Sequence, residues 1–93
     1  MIAPQKQPTN NRSIRLLPQE QDGNYKFNGQ FVATPAAIEK FGQTTIIAAY
    51  LILRQQVERS GGLDYLQAFE ISGERLWFID DTSHVTCLLP SDY

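Results

Sequence analysis

Residues 63–93, LDYLQAFEISGERLWFIDDTSHVTCLLPSDY, constrain the fold most. They read as three short strands, 63–71, 74–79 and 85–89, joined by two tight turns. Ser72-Gly73 is a two-residue turn signal, and Asp80 to His84 form a polar turn. Antiparallel neighbours accept such short links, whereas parallel ones need a dozen residues or more. The stretch is therefore expected to be an antiparallel meander. In the first strand Leu63, Tyr65, Gln67, Phe69 and Ile71 share one side, and Asp64, Leu66, Ala68 and Glu70 the other. In the second, Leu76 and Phe78 oppose Trp77 and Ile79, so both faces are apolar, as in a central strand. Cys87 falls with Val85 and Leu89. Trp77 and Cys87 read as core.

The preceding residues supply the cover. Thr34 can cap a short helix over 35–41 with Pro35 at its first position, and Gly42 stops it. Thr44 or Thr45 then caps a main helix, 45–59, ended by Gly61-Gly62. Ile46, Tyr50, Leu53 and Val57 form one stripe of this helix, and Ile47, Ala49, Leu51 and Ile52 widen it. Its first half is apolar nearly all round, which implies burial on more than one side. One side is the sheet. The other is an N-terminal hairpin or a second copy of the chain. The hairpin is expected at Asn28-Gly29, between Tyr25-Lys26-Phe27 and Gln30-Phe31-Val32. Ile14 to Leu17, ended by Pro18, reads as an edge strand. Residues 1–13, with Pro4, Pro8 and many amides, read as a disordered tail. The expectation is one α+β domain over 14–93.

Bulk properties narrow the function. Cys87 is the single cysteine, so neither a disulfide scaffold nor a four-cysteine zinc site can form within the chain. The cytoplasm is the expected compartment. The N-terminus has no signal-peptide pattern, and the longest apolar run is far short of the about 20 residues of a bilayer span. No membrane role is expected. Net charge is −2, but from residue 63 onward six acids face one base, a local net of −5. A solvated acidic face is one reading; a docking surface for a basic partner is the other. The candidate binding residues are Asp64, Glu70, Glu74, Asp80, Asp81 and Asp92, with the terminal Tyr93.

Asp80, Asp81 and His84 are a legitimate divalent-metal set by ligand type. Neighbouring strand residues point to opposite faces, however, and the simpler reading is a turn whose side chains bond their own backbone. His84 and Cys87 are three apart on an extended segment, hence on opposite faces and not a nucleophile–base pair. Gly61-Gly62 follows a helix instead of opening one, so it is no phosphate cradle. Exposed aromatics could stack on nucleic-acid bases, but a domain this small needs most of them inside. No cofactor is implied.

Asp64, Tyr65, Leu66, Gln67, Phe69 and Glu70, followed by Ile79, Asp80, Asp81, Thr86, Leu88, Leu89, Asp92 and Tyr93, carry a resemblance. This last third of the chain resembles a family of small proteins of unknown function from Gram-positive bacteria, their phages and mobile elements. Thr82 stands where that pattern has Gly. The resemblance implies no activity, cofactor or catalytic residue. The expected function is a small cytoplasmic protein-binding or adaptor module, with an unidentified protein or a second copy as partner. A metal-dependent hydrolase built on Asp80, Asp81 and His84 is the alternative, and a weak nucleic-acid binder the second.

Overall fold

The computed structural model describes residues 13–19 and 21–93. The expected tail, 1–13, lies outside the described residues except for Ser13. Strands β1 (Ile14–Leu16) and β2 (Gln30–Ala33) precede helices α1 (Pro35–Phe41) and α2 (Gln43–Ser60). Strands β3 (Leu66–Ile71), β4 (Glu74–Asp80) and β5 (His84–Leu88) follow, and a 3-10 turn, Pro90–Asp92, closes the chain. The strands form one sheet in the order β1-β3-β4-β5-β2, antiparallel except for β2 with β5. The fold is α+β.

The meander forms as expected. Ala68 pairs with Trp77, and Trp77 with Leu88. Ser72 and Gly73 both adopt positive φ, 54° and 81°, the twist that lets two residues join right-twisted strands. Ladder pairing in the first strand begins only at Leu66; Leu63 instead makes an isolated bridge with Tyr25.

The hairpin at Asn28-Gly29 does not form. Residues 30–33 instead join the far edge of the sheet, parallel to β5. Gly29 is needed for clearance: a Cβ there would lie 2.7 Å from the carbonyl oxygen of Ser83. The positive φ in this segment belongs to Phe27, at 51°.

Helix α1 starts as its sequence requires, with the Thr34 hydroxyl accepting the Ala37 N–H at 3.1 Å. Helix α2 does not need Thr44 or Thr45 as a cap. It begins at Gln43, directly after Gly42, whose φ of 82° turns the chain between helices that meet at 101°. Ile46, Ala49, Leu53 and Val57 of α2 are buried against Phe69, Ile71, Leu76, Phe78, Val85 and Cys87. Tyr50 stacks on Phe31 with ring centroids 4.5 Å apart, and both rings neighbour Phe78. Each fully buried side chain of this kind stabilises the fold by about 1.5–3 kcal/mol. No single helix is long and apolar enough to cross a membrane.

Two glutamines extend β1 past Pro18. The side-chain amide of Gln19 donates to Leu66 O at 2.8 Å and accepts from Ala68 N at 3.2 Å, as a backbone residue would. Gln67, wholly buried, exchanges amide hydrogen bonds with Gln21 at 3.0 and 3.1 Å. These bonds satisfy a polar group inside the core, where an unpaired one would be costly.

Candidate functional site

Pairing fixes which side chains share a face of the sheet. Phe31, Ala33, Phe69, Leu76, Phe78, Val85 and Cys87 face α2. The opposite face carries Leu66, Ala68 and Glu70 from β3, Arg75, Trp77 and Ile79 from β4, Thr86 and Leu88 from β5, and Val32 from β2. Among the described residues no helix covers this outer face. The C-terminus lies over part of it, where the Tyr93 ring meets Trp77 edge-on at 5.8 Å. A one-sided antiparallel sheet normally alternates apolar-in with polar-out. Here the middle of the outer face is apolar except for Thr86, and charge is confined to its ends. Arg15, paired with Glu70 at 2.6 Å, and Arg75 hold one end; His84 and Gln30 hold the other.

Trp77 is half-buried on this outer face instead of in the core. Val32 is 37 % exposed and Tyr93 75 %. Trp and Tyr surrounded by aliphatic groups are the usual anchors of a protein interface. Sequence reasoning found the signal for this face, namely the two apolar sides of β4. Val32 is not legible there, because the Asn28-Gly29 signal hides the edge strand that carries it.

The seven candidate binding residues do not form one surface. Glu70 and Tyr93 belong to the outer face. Glu74 pairs with Lys40 of α1 at 2.5 Å, on the helix side. The Asp92 carboxylate accepts from Leu89 N–H at 3.0 Å and from the Thr34 hydroxyl at 2.7 Å, tying the C-terminus to the start of α1. The backbone N–H of Asp64 donates to Gln21 at 2.8 Å.

Asp80 is buried, only 5 % exposed, and so cannot be part of a docking face. Its two oxygens hold two strained residues. One accepts from Phe27 N–H at 2.9 Å and the other from Thr82 N–H at 2.7 Å. Phe27 and Thr82 have φ of 51° and 77°, a region that bulky and β-branched side chains rarely enter. A single carboxylate therefore pins both. The Gly expected at 82 from the family resemblance would fit this backbone without strain. A cleft of about 330 Å³ lies here, lined by Asn24, Tyr25, Lys26, Asn28, Asp80 and Thr82.

Asp81 caps the turn itself. It accepts from His84 N–H at 2.7 Å and Ser83 N–H at 3.0 Å. The amide of His84, above all, holds its carboxyl below the ordinary aspartate range, against an opposing desolvation effect and with a lesser contribution from the Ser83 amide. Asp80, Asp81 and His84 thus do not converge as metal ligands. Among the described residues no group of three or more His, Cys, Asp or Glu does. Cys87 is buried, and burial pushes its thiol up to about 12. Four of the bases are also engaged: Lys26 donates to Gly61 O, and Arg54 to Lys26 O at 2.5 Å, alongside the Arg15 and Lys40 pairs. Lys6 and Arg12, which the nucleic-acid reading also needs, lie outside the described residues. No protein-family model, curated protein or solved structure matches the chain.

Proposed function

We propose that this chain is a small protein-binding module of the cytoplasm that docks a protein partner on the outer face of its sheet. The observation that carries this reading is the mostly apolar middle of that face: Leu66, Ala68, Trp77, Ile79 and Val32, with Thr86 among them, lie side by side without a covering layer among the described residues. A contiguous apolar patch with a polar rim is what interaction sites present. The unpaired Cys87 suits a reducing compartment. The partner's matching surface would be apolar at its centre.

The test is a photo-crosslinking residue in place of Thr86, in the middle of the outer face, with the same residue at exposed Glu39 of α1 as control. After irradiation in the cells that encode the chain, the Thr86 variant should yield an adduct with a protein other than the chain itself. The Glu39 variant should not. A folded Thr86 variant with no adduct, or with the same adducts as the control, rules the docking face out.

A further inference from the structure

A second, separate surface lies at the β2 edge of the sheet. The bonds from Gln30 N–H to Ser83 O and from Thr34 N–H to Cys87 O set the phase of the parallel β2–β5 ladder. In such a ladder alternate residues turn both backbone groups towards the neighbour. Gln30, Val32 and Thr34 therefore face β5, and the N–H and C=O of Phe31 and Ala33 point away from the sheet. Among the described residues nothing accepts or donates to them. Exposed edge groups of this kind template pairing with another strand.

The helix side of the same edge is also unfinished. Ile47 is 46 % exposed and Leu51 57 %, one turn apart on α2. Ile47 joins Phe31, Ala33, Ile38, Gln43 and Ile46 around an apolar groove of about 210 Å³ between the helices and β2. Edge and groove thus share one border of the molecule.

We infer that a second copy of this chain occupies this border, with the two β2 strands antiparallel about a two-fold axis through Val32. The edge is self-complementary in that arrangement. Phe31 of each copy exchanges both backbone bonds with Ala33 of the other, so all the outward groups of β2 are satisfied reciprocally. The axis runs normal to the sheet, which keeps both α2 helices on the same face. Ile47 and Leu51 of one copy then face those of the other, and each groove gains its missing wall. A lone extended peptide would satisfy the edge but leave Leu51 in water. The small net charge of −2 opposes self-association little. Apart from Val32, which borders the axis, the outer face stays open in this dimer, so either proposal can fail without the other.

Two variants of the full chain test it by sedimentation velocity. The wild type should sediment as a dimer of the 10.5 kDa chain at concentrations of about 100 µM. Leu51→Glu places a charge twice in the interface and should weaken dimerisation by about 100-fold or more, with circular dichroism and urea midpoint unchanged. Val32→Cys places two thiols at a close, non-hydrogen-bonded pair across the axis, where Cα atoms lie about 4.5 Å apart. Mild oxidation should then trap a covalent dimer at position 32. A wild type that stays monomeric at that concentration overturns the inference. So does a dimer that Leu51→Glu leaves intact, or one that Val32→Cys does not trap.

Discussion

Replacing Asp80 tests how the corner between β4 and β5 is held. Its carboxylate satisfies the amide of Phe27, which is wholly buried, and that of Thr82, which is exposed. A backbone bond to a charged group is worth about 1.5–3 kcal/mol, and a buried amide left without a partner costs about 1–3 kcal/mol. Removing a buried charge that makes no ion pair among the described residues returns part of that. Thr82 can turn to water; Phe27 cannot. Asp80→Ala should therefore destabilise the domain by about 2–4 kcal/mol, a large share of a typical domain's stability. The midpoint of thermal unfolding should fall by roughly 10–25 °C for a chain of this size. Asp80→Asn keeps the shape and one acceptor. The carbonyl can serve Phe27 while the amide group faces Thr82, so the cost should be about 1–2 kcal/mol. Urea unfolding followed by the fluorescence of Trp77, the single tryptophan, reads both. If Asp80→Ala behaves like a surface substitution, within about 0.5 kcal/mol of the wild type, the pinning argument is wrong. It is also wrong if Asn costs as much as Ala.

Two further substitutions probe the frame. Gly29→Ala puts a methyl 2.7 Å from Ser83 O, so it should cost about 1–3 kcal/mol by the same urea titration; a neutral result would mean β2 does not approach the turn this closely. The Cys87 thiol, pushed up to about 12 by burial from an ordinary 9.0, should resist a thiol reagent in the native state and react once urea unfolds the chain. The unfolded thiol ionises first, so the native state binds more protons between pH 9.0 and about 12, and stability must fall as pH rises through that window. Cys87→Ala should remove that part of the alkaline slope; an unchanged slope, or rapid native labelling, would place the thiol in contact with water.

The parts of the fold that were legible in sequence are those set by neighbours along the chain. The β3–β4–β5 meander follows from alternation and short turns, and the α1 cap from Thr34-Pro35. The Asn28-Gly29 hairpin failed because a glycine demanded by a close approach looks the same in sequence as one demanded by positive φ. Only the position of Ser83 separates the two. The start of α2 was misplaced for a similar reason: Gly42 turns the chain without a gap, which makes a threonine cap unnecessary. The acidic bias has local partners that composition does not reveal. Counting charges cannot show that Glu70 and Glu74 already hold cations and that Asp80, Asp81 and Asp92 already hold backbone amides.

What did survive from sequence to surface is an excess of apolar residues. Helix α2 reads as apolar nearly all round, and β4 reads as apolar on both faces. One helical layer can cover only one face of a sheet, and that layer can hide only one side of itself. Ile47 and Leu51 on α2, and Trp77 and Ile79 on β4, are the remainder left by that geometry. Among the described residues the remainder is not folded away, since the two helices and the five strands are already committed to the layers. The two leftovers lie on different surfaces and differ in kind. The β2 border has unpaired backbone groups in a self-complementary register, which suits a copy of itself. The outer face has aromatic anchors and no free edge, which suits a different protein. If both are filled, the assembly would be a two-fold pair with two equivalent docking faces. Its partner should then bind with the same affinity to the wild-type dimer as to the Leu51→Glu monomer, because Leu51 lies on α2, on the other side of the sheet from Trp77 and its neighbours.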